Sequence, residues 1–198
     1  MKVHIVPHNP TWSTKFQSAK ASLESILSEA AYMSIEHVGS TSIPGLEAKP
    51  VLDIDIIVTP EMLPAVRQAL VQAGYFDCGE MNVPGRFQFR QPGFGQYDAA
   101  WGDHGMASDE MRMNTYAMID GCLALRNHLD VRKTLLHDES LREEYGAVKK
   151  ELSARDFQNM GEYAAAKNDI LWKILTKAGW SEEDLDVVRK ANTPVRPS

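Results

Sequence analysis

The chain has 198 residues, 43% of them hydrophobic and 24% charged, with a formal net charge of −6. That balance suits one domain with a full core, or such a domain with a helical extension, and excludes wholesale disorder. An acidic chain with no dense Lys/Arg cluster is a poor partner for duplex nucleic acid, because phosphate neutralisation supplies most of such affinity, although a local basic pocket for one nucleotide is compatible with it.

Lys2 to Val6 reads as a short strand. Asn9-Pro10 then reads as an N-cap with proline at the first helical position, and Trp12, Phe16, Ala19, Leu23 and Ile26 continue at helical spacing to about Ala31, a core helix. Ile35 to Val38 is a brief strand that delivers a turn of small residues, Gly39, Ser40, Thr41 and Ser42. Such a turn lets backbone N–H groups approach a phosphate, and it also serves as a plain polar connection. Pro44-Gly45 makes a second bend and Lys49-Pro50 leads into Val51 to Val58, where Lys49 reads equally as a solvated lysine or a phosphate contact. Val51 to Val58 is an apolar run of strand length that carries two carboxylates, Asp53 and Asp55. Strand alternation puts both on one face, with Leu52, Ile54, Ile56 and Val58 on the other. Two carboxylates side by side on a mostly buried strand repel and are costly to ionise, so a positive partner is expected there, and a divalent cation held by oxygen ligands is the usual one.

Thr59-Pro60 opens a second helix with Leu63, Val66, Leu70 and Val71 on one face and Gly74 at its end. Tyr75 to Met81 and Arg86 to Gln91 read as a strand pair. In the second strand Phe87 and Phe89 share one face, while Arg86, Gln88 and Arg90 share the other. Alternating charges usually mark a solvated face. A guanidinium also suits paired phosphate oxygens, which makes Arg86 and Arg90 candidate ligands. Pro92 to Glu110 is Gly-rich and irregular, the composition of a lid, a binding loop or disorder, and its Asp103-His104 pair is a weak metal or base signal. Arg112 to Ile119 reads as a strand without a carboxylate, in which Asn114 offers a neutral oxygen ligand, and Asp120 lies just beyond it. Cys78 and Cys122 are far apart and outside any C-x-x-C pattern, which argues against zinc and a disulfide framework. Helical periodicity runs over Cys122 to Leu136, Ser140 to Ala154 and about Glu162 to Ala178. On the last helix Tyr163 and Lys167 lie one turn apart on the same face, within joint reach of a substrate or simply packed. Ser181 with Asp184 opens a short final helix. With no signal peptide and no apolar stretch long enough to cross a bilayer, a cytoplasmic protein without a membrane partner is expected.

The segment HVGSTSIPGLEAKPVLDID, from His37 to Asp55, resembles the signature of the GrpB family, a group with a nucleotidyltransferase-like fold. The opening VHIVPHNPTWSTKF, the run LRNHLDVRKTLLHDESLREEYGAVKKELS and the YAAAK segment are similar to the same family, so the resemblance covers roughly Val3 to Lys177. It implies an α/β (α+β) nucleotidyltransferase-like mixed sheet with flanking helices over residues 1–120 and a C-terminal helical part packed on it; with the final helix read from the residues, that part runs over 121–191, and Asn192 to Ser198 reads as a flexible tail. Arg112 fits an arginine of the family pattern. The histidine of a following Leu-His-Val falls here on Ala117, so no proton-transfer role is carried over, and the third acid that nucleotidyltransferases commonly place on a neighbouring strand has no obvious counterpart.

The implied function is Mg²⁺-dependent (or Mn²⁺-dependent) transfer of a nucleotidyl group from a nucleoside triphosphate to a small acceptor. Asp53 and Asp55 are the candidate catalytic and metal-holding residues. Gly39, Ser40, Thr41, Arg86, Arg90, Arg112, Tyr163 and Lys167 are the candidate nucleotide-binding residues, with the cations expected to converge in one cleft. The alternative is a catalytically inactive protein of the same fold that binds a nucleotide or a phosphorylated metabolite. In some bacteria a domain of this family is attached to dephospho-CoA kinase, which points to such small-molecule ligands. A third reading makes the chain an interaction module in which Asp53 and Asp55 pair with Arg86 and Arg90.

Overall fold

The computed structural model describes residues 2–93 and 111–191. The Asp103-His104 pair and nearly all of the 92–110 segment, together with the 192–198 tail, lie outside the described residues.

Five strands form one mixed sheet: β1 (Ser34–Val38), β2 (Val51–Val58), β3 (Phe76–Gly79), β4 (Arg86–Arg90) and β5 (Arg112–Ile119), in the order β1-β2-β5-β4-β3. β2 and β5 run parallel and every other pair is antiparallel. Ile and Val dominate β2 because it is flanked on both edges and covered on both faces. The expected strand at Lys2 to Val6 is reduced to one antiparallel bridge between Val6 and Ala48, too short a pairing to join the sheet.

Helix α1 (Thr11–Ile26) and helix α2 (Leu63–Gln72) cover one face. Asn9 Oδ1 accepts the Thr11 N–H at 3.0 Å, the side-chain cap that Asn9-Pro10 predicts. α1 ends at Ile26, short of the expected Ala31, and Leu27 to Ala30 continue as a turn. Trp12, Phe16, Leu23, Val66 and Leu70 pack on Leu52, Ile54, Ile56, Val58, Phe89 and Ala117, the apolar side of the central strands.

Helices α3 (Leu123–His137), α4 (Glu139–Ser153), α5 (Met160–Ala165), α6 (Asn168–Lys177) and α7 (Glu182–Ala191) make up the rest of the described chain. Ile57 and Met118 of the sheet cluster with Ala124 and Leu125, which seats the start of α3 on the second face. Ile43 and Leu46, from the loop before β2, pack with Leu135, Leu141, Tyr145, Ile170 and Ile174. The single helix expected from Glu162 to Ala178 is two, interrupted at Ala166 and Lys167. Asn168 and Asp169 follow the break; such side chains compete with helical backbone and favour helix starts, so a boundary falls there despite continuous periodicity. Among the described residues no helix is long and apolar enough to cross a membrane.

Phe89 is completely buried between α1, α2 and the sheet. Phe89→Ala is expected to lower unfolding free energy by about 3–5 kcal/mol, read as a shifted urea midpoint with an unchanged slope.

Candidate functional site

Alternation along β2 turns Asp53 and Asp55 to the face covered by the C-terminal helices, and the parallel register sets Asp53 opposite Asn114 and Asp55 opposite Tyr116. Asn114 Nδ2 donates to Asp53 Oδ1 at 2.8 Å. The Asp55 side chain is wholly buried, and its Oδ2 lies 2.9 Å from His128 Nδ1 on α3. Its Oδ1 is also buried and has no hydrogen-bond partner. For His128, burial works against the charged ring, but the charge and hydrogen bond of Asp55, with help from Asp53, outweigh it and raise the pKa. For Asp53 burial is the largest influence and raises the pKa, against the lowering effects of Asn114, His128 and Lys167. Asp53 therefore resists ionisation unless further positive charge arrives.

Three points of the sequence reading meet this geometry. Ion pairing of the aspartates with Arg86 is not the arrangement found: Asn114 holds Asp53, His128 holds Asp55, and the Arg86 guanidinium lies 5.4 Å from the centre of the Tyr116 ring. Asp120 is not a third acid for the pair, since it lies six residues past Asn114 on the parallel partner strand, roughly 20 Å along the sheet. Ala117, where the family histidine falls, packs with Leu52 and Ile54 on the opposite face, so that position has no line to the aspartates. Among the described residues no group of three or more His, Cys, Asp or Glu side chains is placed to hold a metal.

The Gly39 turn presses against this pair. Gly39 has φ of 68°, and a Cβ there would sit 2.2 Å from Asp53 Oδ2, so both conformation and space demand glycine. The next residues form a single 3-10 turn, Ser40–Ser42. Thr41 Oγ1 donates to the Val51 carbonyl at 3.0 Å and must therefore accept from His37 Nε2, also at 3.0 Å, which places the His37 proton on Nε2. Burial, with the Arg132 charge, lowers the His37 pKa to about 4, and Phe16 stacks on its ring at 4.6 Å. A neutral histidine thus locks the turn to the start of β2.

Between this face and α4 and α5 lies a cavity of about 450 Å³. Ser40, Thr41, Asp53, Arg86, Arg112, Tyr163 and Lys167, all anticipated from the sequence, line it together with Lys49, Asn114, Tyr116 and Lys149. The break between α5 and α6 does not separate Tyr163 from Lys167, whose Nζ lies 4.5 Å from the centre of the tyrosine ring. Tyr163 is buried against Phe157, and burial pushes its hydroxyl pKa well up. Gly39 and Asp55 stand behind the wall rather than in it. Arg90 is elsewhere: it lies beside the Cys78 thiol, whose pKa burial raises and Arg90 partly restrains. β3 pairs with β4 through Phe76 opposite Arg90, so the long side chain finds Cys78 two residues further along that edge strand.

His128 and Lys149 escaped the sequence reading. His128 is 73 positions from Asp55 and sits in an amphipathic helical run with no local signal. The usable clue was the demand of a buried carboxylate for a donor. Lys149 reads as one more charge in a helix whose exposed face is full of them.

The family model described as GrpB protein matches residues 2–177. The chain belongs to the GrpB family. The relatives include a UPF0157 protein of Streptomyces coelicolor, 32% identical over 156 residues that cover 75% of this chain and 70% of that protein. Another is the glutamate-rich protein GrpB of Alkalihalophilus pseudofirmus, 27% identical over 180 residues, 89% of this chain and 95% of the relative. The crystal structure of the conserved protein GrpB from Enterococcus faecalis superposes with a TM-score of 0.70 at 25% identity, covering 88% of this chain and 96% of that one. The sheet of this GrpB-family chain is mixed and flanked by helices.

Removing the histidine tests the carboxylate arrangement. His128→Leu is expected to cost about 3–5 kcal/mol at neutral pH because a buried charge loses its partner, while adding Asp55→Leu should restore most of that loss. A double-mutant cycle by chemical denaturation reads both.

Proposed function

We propose that the cleft binds a nucleoside triphosphate as its Mg²⁺ complex and transfers the nucleotidyl group to a small acceptor. One observation carries this reading: two aspartates share a strand face directly beside the Gly39 turn, Asp53 in the wall of a cavity lined with cations and Asp55 just behind it. The residues fit a hard divalent ion. Their donors are carboxylate and amide oxygens, the buried Asp55 Oδ1 lacks a partner, and burial of Asp53 disfavours its charge until a cation offsets it. Asp53 and Asp55 would hold the ion, and when bound it supplies Lewis-acid polarisation of the phosphoryl oxygens.

The chain's own residues do the remainder. The Gly39-Ser40-Thr41 turn positions the triphosphate, and Arg86, Arg112 and Lys167 offset its charge. In the transfer itself an acceptor oxygen attacks the α-phosphorus as the bond to the bridging oxygen breaks and pyrophosphate leaves. A cavity of about 450 Å³ suits a small-molecule nucleotide, and cytoplasmic nucleotide pools would supply it.

A second reading, binding of a nucleotide or phosphorylated metabolite without chemistry, draws on two features. Asn114 stands beside Asp53 where an acid would serve catalysis, and Asp55 is already engaged by His128. Calorimetry with ATP and GTP, with and without Mn²⁺, tests what the readings share: metal-dependent binding is expected, and the double change Asp53→Asn, Asp55→Asn should abolish it while the circular dichroism spectrum is kept. Pyrophosphate release then separates them, since sustained release supports transfer and binding without release supports the second reading.

A further inference from the structure

Lys149 is the most deeply buried cation of the described chain, 2% exposed, yet it lines the cleft. Its Nζ donates to the Glu47 carbonyl and sits 4.6 Å from the centre of the Tyr145 ring on the same helix. Neither contact neutralises it, and among the described residues no carboxylate lies within ion-pair distance. The surrounding charges are unhelpful as well. Lys167 faces it from the α5–α6 junction, Tyr163 from α5, and Lys49 and Arg112 share the cavity. The Glu47 carboxylate, the one acidic influence on it, lies at 4.0 Å from Lys150. A lysine buried without an anion, facing a second lysine across a cavity, is the arrangement an incoming anion completes.

We propose that Lys149 is a phosphate ligand of the cleft which takes a proton from solvent as a polyphosphate enters between it and Lys167. The proton adds to the Nζ lone pair, and the new N–H donates to a phosphate oxygen while the Glu47 contact is kept. This deepens the proposed function: it rests on the cleft binding phosphate but not on nucleotidyl transfer. Burial first, and the Lys167 charge second, lower the Lys149 pKa from 10.5 to about 7, with Glu47 opposing. A nearby phosphate reverses both effects, so ligand affinity and proton affinity rise together.

The sign can be checked without ligand. A lysine whose folded pKa is lowered binds fewer protons folded than unfolded between pH 7 and 10.5, so the stability of the native chain relative to Lys149→Met should climb with pH across that window.

The deciding measurement is calorimetric titration with inorganic triphosphate in buffers of different ionisation enthalpy. The unaltered protein is expected to take up close to one proton more at pH 8.5 than at pH 6. Its affinity should fall about tenfold per pH unit above pH 7.5 relative to Lys149→Met, which removes the triphosphate's own titration from the comparison. Lys167→Met should bind more weakly and shrink the uptake at pH 8.5, because a larger fraction of Lys149 would then be charged beforehand. Equal uptake at the two pH values, or parallel pH profiles in the unaltered protein and Lys149→Met, overturns the role of Lys149 and leaves the cleft reading standing. Failure of the unaltered protein to bind triphosphate at any pH overturns both. The triphosphate's own proton exchange is subtracted with Lys149→Met, and with Lys149→Arg, which keeps its charge throughout the range, where Lys149→Met folds poorly.

Discussion

A carboxylate buried on a central strand must find a donor, and much of this molecule is arranged around how Asp55 finds one. Its partner, His128, comes from a helix on the other side of the chain. The contact is directional in a way that apolar packing is not, so it fixes the rotation of α3 as well as its distance. Ile57, Met118, Ala124 and Leu125 seat the start of the helix, and the Asp55–His128 pair orients the next turn. The wall of the cleft inherits that orientation, because Asp53, two residues along the same strand face, is left at the cavity with Asn114 as its neighbour.

The cleft concentrates positive charge in a protein whose net charge is −6. Three of its cations are held by aromatic rings: Arg86 by Tyr116, Lys149 by Tyr145 and Lys167 by Tyr163. A ring face attracts a cation and limits its motion without cancelling its charge, whereas a carboxylate would do both. Tyrosine support therefore leaves charge available for a ligand. Acidic side chains are spent on exposed pairs such as Glu151 with Arg155 and Glu144 with Lys173, away from the cavity. Among the described residues the cleft gathers basic side chains around a single carboxylate, Asp53, an arrangement that favours an anion.

How far the site could be read beforehand depended on whether a residue's role followed from strand parity. Parity alone put Asp53 with Asp55, and it correctly set Arg86 on the aspartate side. It also resolves the histidine that is missing at Ala117, since that position belongs to the helix-packed core. Parity was insufficient for Arg90, which shares a face with Arg86 but lies at the other end of a short strand, where β3 offers it Cys78. The Tyr163–Lys167 pairing was anticipated through an unbroken helix. It survives the break because side chains four apart remain close when a helix restarts after one turn.

Local order in the sequence determined the strands that carry chemistry, the glycine turn that precedes β2 and the apolar faces that bury them. Each of these follows from period, from turn chemistry or from the cost of placing charge on a buried strand, and all act over a few neighbouring residues. Tertiary structure decided which distant group answers Asp55, that Asn114 stands beside Asp53, and that Lys149 faces Lys167 across a cavity instead of facing water. Those outcomes turn on where helices settle against the sheet. The energy that places them comes mainly from non-directional burial of Leu135, Leu141, Ile170 and their neighbours, a force indifferent to which polar groups it brings together.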